Sequence, residues 1–223
     1  MPHFSEFIRT LLLIVGALFP IVNPLGNTPI FLTLTRWSTS ETRRLLARKI
    51  AFNGFVLLVV SLLIGTHILA FFGISLPVVQ VGGGMVVIAT GWNLLTRKDD
   101  DDSSQGSSSQ RAASAKVASR QAFYPLTLPL TVGPGSISVA ITVGANRTPN
   151  IEASLPALEA AVAGAALIGI SIYLSYRFAE TIARVLGDTA MNVVIRLSSF
   201  ILLCIGVQIA WNGISSLLRT VIH

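Results

Sequence analysis

Two clusters of neutral polar residues, prolines and glycines interrupt otherwise apolar sequence. The first is Asn23-Pro24-Leu25-Gly26-Asn27-Thr28-Pro29, inside the uncharged run from Thr10 to Thr35. The second is Thr131-Val132-Gly133-Pro134-Gly135-Ser136, inside the uncharged run from Gln121 to Asn146. Proline removes a backbone donor and clashes with the preceding turn, so each cluster breaks a helix near the middle of its run. The half-helix that starts after a break exposes N–H groups at its positive end, and these suit a carboxylate. Unwound carbonyls and Asn, Thr or Ser side chains suit an ammonium group or a sodium ion. The chemistry on offer is recognition of a small neutral or zwitterionic solute. The candidate binding residues are Asn23, Gly26, Asn27 and Thr28 at the first break, and Thr131, Gly133, Gly135 and Ser136 at the second. Pro24 and Pro134 shape the breaks and are not expected to bind through their side chains.

The elements that carry these clusters must lie in a membrane. The chain of 223 residues is 52% apolar and 12% charged, against about 25% charged in an ordinary soluble domain. A spanning helix needs roughly 20 mostly apolar residues. Four uncharged runs are long enough, and a fifth region near Ala153–Tyr176 carries only Glu159. The run Ile50–Thr96 is too long for one helix and divides at Phe72-Gly73-Ile74-Ser75-Leu76-Pro77, a turn signal. The prediction is an all-α polytopic membrane protein with six spans, near 8–35, 50–72, 77–96, 121–146, 154–176 and 196–218.

Basic residues orient these spans. Arg36, Arg43, Arg44, Arg48 and Lys49 follow span 1; Arg97, Lys98, Arg111, Lys116 and Arg120 follow span 3; Arg177, Arg184 and Arg196 follow span 5. Arg9, Arg147 and Arg219 alone fall on the other side. By the positive-inside rule both termini are periplasmic in a bacterium. The net charge of +6 is thus topological and does not imply a nucleic-acid partner. Trp37, Tyr124, Tyr173 and Tyr176 fall where an aromatic belt would sit. The first residues, with Glu6 beside Arg9 and a long apolar run, do not read as a signal peptide. Residues 97–120, with the run Asp99–Asp102 and a Ser/Gln/Ala-rich stretch, read as a flexible cytoplasmic linker. Consecutive carboxylates in such a tract are solvated, so no metal or other cofactor is expected. Cys204, inside span 6, reads as a packed apolar thiol.

The two flanking segments, 1–96 and 121–223, resemble each other. Pro20-Ile21-Val22-Asn23-Pro24-Leu25-Gly26 matches Pro129-Leu130-Thr131-Val132-Gly133-Pro134-Gly135 with a one-residue shift. Gly91-Trp92-Asn93 near the end of span 3 matches Ala210-Trp211-Asn212 in span 6. Three spans per half is odd, so the second half enters from the opposite side. The expected architecture is a 3+3 inverted repeat with broken helices in spans 1 and 4, placed together at the membrane midplane.

Several of these motifs resemble the MarC family of bacterial inner-membrane proteins. They are Asn23-Pro24-Leu25-Gly26, Phe72-Gly73-Ile74-Ser75-Leu76-Pro77, Pro125-Leu126-Thr127-Leu128-Pro129 with Thr131-Val132-Gly133-Pro134-Gly135, and Cys204-Ile205-Gly206-Val207-Gln208 with Asn212-Gly213-Ile214. The resemblance covers nearly the whole chain apart from the linker. A related archaeal branch transports small neutral amino acids such as glycine and alanine. The resemblance therefore implies a transporter-like protein of the inner membrane, with small neutral amino acids as the first expected substrates.

The residues also exclude chemistry. Spans 1, 2, 3, 4 and 6 hold no Asp or Glu, while Glu159, Glu180 and His67 lie near span ends. Intramembrane carboxylates mark proton relays and cation sites, so a carboxylate-based antiporter or polyamine carrier is disfavoured. No nucleophile–base pair, His-Glu motif or nucleotide loop is present, so no enzyme is expected. A secondary transporter or exporter coupled to Na+ or H+, a passive channel and a non-transporting scaffold all remain open. Asn53, Gln80 and Gln208 read as hydrogen bonds between helices, and Arg177 as a boundary charge that snorkels.

Overall fold

The computed structural model describes residues 2–36, 38–96, 122–145 and 151–222. The predicted linker 97–120 with Asp99–Asp102, the belt residue Trp37, and the ends of span 4 at Gln121 and Asn146 lie outside the described residues. Every described element is helical. In chain order they are α1 (Pro2–Val22), α2 (Thr28–Leu34), α3 (Ser40–Phe71), α4 (Leu76–Thr96), α5 (Ala122–Thr131), α6 (Pro134–Ala145), α7 (Ile151–Arg177) and α8 (Ala179–Ile222). Five of the helices are long and apolar enough to cross a membrane; the α5–α6 pair, bent by 67°, makes up to six spans.

Local chemistry sets the ends. Thr39 caps α3 by accepting from the Thr42 N–H at 3.2 Å, and Glu41 complements the positive helix end. At the other end Gly73 adopts φ +67°. Its N–H bonds to Ala70 O at 3.1 Å, and the Ile74 N–H bonds to Leu69 O at 2.9 Å, which closes a Schellman turn. Pro77 then sits in the first turn of α4, where its missing N–H costs nothing.

Three boundaries differ from expectation for one reason: charges end an uncharged run but do not end a helix. The apolar part of α1 alone is 19 residues, Phe4–Val22, about 28 Å at 1.5 Å per residue. The first break therefore follows a full span's length of helix and does not bisect a span. Helix α3 begins at Ser40 and the last span runs Thr189–Arg219, both earlier than predicted, with exposed Arg196 on its surface. The residues Ala179–Leu186 are set off from that span by Gly187, whose φ of +69° breaks α8.

α4 and α8 pack antiparallel along a seven-residue register of small contacts. A Cβ at Gly84 would lie 2.6 Å from Ala210 N and 2.8 Å from Gly206 O. At Gly91 it would lie 2.8 Å from Leu203 N and 3.0 Å from Ser199 O; at Gly213, 2.6 Å from Pro77 O. Thus Pro77, Gly84 and Gly91 meet Gly213, Gly206 and Ser199 in turn, backbone against backbone. Cys204 falls off this seam and is exposed, not packed. Trp92 and Trp211 face outward as well. α7 presents fully buried Ala160, Ala161 and Ala165 to the core and packs against both α1 and α3. Asn53 of α3 reaches Thr127 Oγ1 of α5 at 3.4 Å as a helix-to-helix bond, whereas Gln208 turns along its own helix to Asn212 Oδ1 at 2.9 Å.

The seam makes a prediction. Gly206→Val should cost about 1–3 kcal/mol or more by overpacking, read as a lower thermal midpoint in detergent. Gly82→Val, with open space at its Cβ position, should leave the midpoint nearly unchanged.

Candidate functional site

The second break begins with a doubled sequence, Tyr124-Pro125-Leu126-Thr127 and Leu128-Pro129-Leu130-Thr131. Both X–Pro bonds are cis, and Tyr124 and Leu128 leave helical geometry, so α5 is a wide, interrupted helix. The prolines donate no N–H, and two threonine hydroxyls add donors within the segment. Thr127 Oγ1 donates to Ala122 O at 2.6 Å and Thr131 Oγ1 to Leu126 O at 2.7 Å, each five residues back. The Val132 N–H reaches Thr127 O at 2.9 Å in the same register. Val132 and Gly133 then separate α5 from α6. Ser136 Oγ turns back to Gly133 O at 2.9 Å.

The first break is a turn built by two asparagines. Asn23 sits at φ +44°, a left-handed conformation that asparagine tolerates better than most residues. Its Oδ1 accepts the Gly26 N–H at 3.1 Å. Asn27 Nδ2 donates to Val22 O at 2.9 Å, the last carbonyl of α1, and to Leu130 O at 3.2 Å in α5. One amide therefore satisfies carbonyls freed at both breaks and ties them together.

The two breaks meet at one cavity of about 90 Å³, ample for ordered water or a small solute. Asn23 and Asn27 line it from the first break; Pro129, Leu130, Thr131, Gly133, Pro134, Gly135 and Ser136 line it from the second. Six of the eight candidate binding residues are thus brought together. The other two lie behind the wall. A Cβ on Gly26 would run into the Asn23 side chain, and Thr28 is fully buried with its hydroxyl on Pro24 O at 3.0 Å. Of the break-shaping prolines, Pro134 lines the cavity and Pro24 does not. Gly135 allows close approach, because a Cβ there would collide with Val87 Cγ2.

The remaining wall comes from residues that the sequence did not single out: Ile21, Val86, Val87, Thr90, Leu94 and Leu202. Val86, Thr90 and Leu94 recur every four residues on one stripe of α4, and Thr90 is the polar signal within it. Among the described residues no ionisable side chain lines the cavity. The cavity lies against the second half of α4, so it is displaced from the middle of that span toward Thr96.

Behind the wall, Tyr176 departs from its expected place in the aromatic belt. It is fully buried and stacks on Phe31 of α2, with centroids 4.3 Å apart and planes 3° from parallel. Its hydroxyl lies 2.8 Å from Thr131 Oγ1. Thr131 has one hydroxyl proton, already given to Leu126 O, so Tyr176 is the donor. Nearby, Arg43 pairs with Glu180 and donates to Thr35 O at 3.1 Å and Ser38 O at 3.2 Å, pinning the end of α2. Arg177 is exposed, as expected of a boundary charge, and donates to Tyr173 OH at 2.8 Å. Among the described residues no group of His, Cys, Asp or Glu could hold a metal.

Apolar helices of spanning length with interrupted segments around a neutral cavity define the class: an integral, multi-pass α-helical membrane protein. Comparison with known proteins places it further. The model of the MarC family of integral membrane proteins matches residues 6–218, and the chain belongs to that family. It is 30% identical over 201 residues to the membrane protein YvbG of Bacillus subtilis (strain 168), covering 90% of this chain and 92% of the relative. It is 30% identical over 209 residues to a membrane protein of Aquifex aeolicus (strain VF5), covering 91% of each. It is 28% identical over 205 residues to the inner membrane protein MarC of Escherichia coli O1:K1 / APEC, covering 91% of this chain and 93% of the relative. No solved structure matches the chain significantly.

The hydrogen bonds rank two substitutions. Asn27→Ala leaves two carbonyls without their donor and should cost about 1–3 kcal/mol. Tyr176→Phe removes one donor while Thr131 keeps its bond to Leu126 O, and should cost about 0.5–1.5 kcal/mol. Thermal unfolding in detergent should therefore show the larger drop for Asn27→Ala.

Proposed function

We propose that this protein is a secondary transporter or exporter of small neutral or zwitterionic solutes, with small neutral amino acids as the leading substrate class. The observation that carries this reading is the convergence of both helix breaks on one small, uncharged cavity. Gly135 and Ser136 follow Pro134 in the first turn of α6, and their N–H groups, which have no intrahelical acceptor, favour a carboxylate. Asn23 Oδ1, Thr131 Oγ1 and Ser136 Oγ supply acceptors for an ammonium group. A cavity of about 90 Å³ has room for a small solute.

The finer architecture belongs to the same proposal. In it, residues 1–96 and 121–223 are inverted repeats, with both termini periplasmic and the ends of α1 and α4 cytoplasmic. The helix pairing supports this. A two-fold exchange of spans 1–3 with spans 4–6 maps α4·α8 and α3·α7 onto themselves, and α1·α7 onto the pairing of α3 with α5 and α6. All of these pairs are in contact.

Uptake into liposomes carrying the purified protein tests the function. Labelled glycine, alanine and serine would be offered with and without Na+ and H+ gradients. The expected result is saturable, gradient-driven uptake, with Ser136→Ala weakening apparent affinity about three- to tenfold, the worth of one hydrogen bond. Flux that rises linearly with concentration would favour a channel. A folded protein that moves none of these solutes would overturn the amino-acid assignment.

A further inference from the structure

The cavity is walled very differently on its two sides along α4. Toward the start of α4, α6 lies sealed against it. A Cβ on Gly83 would collide with Ser138, and one on Gly135 with Val87. Ser138 Oγ also donates to Val79 O at 2.9 Å. The same half-helix is sealed against α3, where Gly65 meets Ile141 and Gly144 meets the Leu62 carbonyl. Toward the end of α4 the described residues place no such seal. Val86 is 39% exposed, Thr90 is exposed and Leu94 half-buried, yet all three line the cavity.

The counterpart of α6 in the other half is α2, which follows the first break as α6 follows the second. The pair that corresponds to α6 on α4 is α2 on α8. These two helices touch, but no described glycine of α8 has an α2 atom among its nearest neighbours. Phe31 and the carbonyls of Thr35 and Ser38 instead fasten α2 and the residues after it toward α7 and Glu180. Two contacts that an inverted repeat would make equivalent are therefore unequal, one built on close glycine contacts and one not. In carriers built from inverted repeats, such inequality is how a fixed site is exposed to one side at a time.

We propose that the structure is a one-side-open state: the cavity is entered along Val86, Thr90 and Leu94 from the side where α4 ends, and α6 is the closed gate on the opposite side. This rests on the reading of the cavity as a transport site. Exchange of access requires α6 to leave Gly83 and Val87, while α2 closes over α8.

Thiol labelling from each membrane face tests this. Cys204→Ser removes the native thiol, which is exposed. Ser40→Cys then marks the face where α3 begins and Ser75→Cys marks the face where α4 begins. With a membrane-impermeant maleimide, Thr90→Cys should react from the Ser40 face about tenfold faster than from the Ser75 face, a population bias readily resolved. Adding Ser138→Ala, which deletes the bond to Val79 O, should raise the rate from the Ser75 face. Reaction from neither face would place Thr90 in lipid and overturn the proposal, as would equal reaction from both. One-sided labelling without uptake of any solute would sink the substrate reading and leave the access path standing. Uptake without one-sided labelling would do the reverse.

Discussion

A membrane interior offers no water to a carbonyl or N–H that has lost its helical partner, so every interruption must be satisfied by the protein itself. The whole arrangement around the cavity follows from that constraint. Asn27 answers it at both breaks with one amide, bonded to Val22 O and Leu130 O. Thr127 and Thr131 answer it within α5 by hydroxyls that donate to the Ala122 and Leu126 carbonyls. Asn23 accepts the Gly26 N–H and lets the chain turn. What these bonds leave over is polar surface along the cavity, from Asn23 and Thr131 to the start of α6. Among the described residues, the hydrogen bonds at the two breaks come from neutral groups.

Close backbone packing is the second theme, and it divides the molecule into parts that fit tightly and parts that do not. α4 and α8 meet through glycines at a distance no side chain would permit. α6 is fitted the same way into α3 and α4. α2 is not; it is held by an aromatic stack and by Arg43. In lipid, association depends on contact and hydrogen bonding more than on the hydrophobic effect, so glycine contact marks the firm joints.

The breaks were readable because proline and glycine act locally, and their consequences do not depend on distant residues. Asn23, Asn27, Thr131 and Ser136 followed as their neutral neighbours. The turn at Phe72–Pro77 was readable for the same reason. Less was visible where the outcome depends on which face a helix buries. Val86, Thr90 and Leu94 lie in a span that is apolar all round, so hydropathy could not tell the cavity face from the lipid face. Tyr176 sits at the chemical position of a belt residue, and only the arrival of Phe31 and Thr131 from elsewhere in the chain makes it internal. Gly26 and Thr28 have the right composition, but they lie outside the cavity lining, with the Gly26 N–H on Asn23 Oδ1 and the Thr28 hydroxyl on Pro24 O. Helix ends were misjudged wherever a charged residue such as Arg9 or Arg196 stays in the helix and points outward.

The seven-residue seam of α4 and α8 has an ambiguity built into it. Sliding one helix by a single period, about 10 Å, would set Gly84 against Gly213 and Gly91 against Gly206, again small against small. The seam alone therefore does not choose its own alignment. That choice is made from outside: Ser138 bound to the Val79 carbonyl and the Schellman turn after α3 hold α4, while contacts with α1, α2 and α7 hold α8. The alignment of the two helices is thus a property of the neighbours that hold each of them, α3 and α6 on one side of the seam and α1, α2 and α7 on the other.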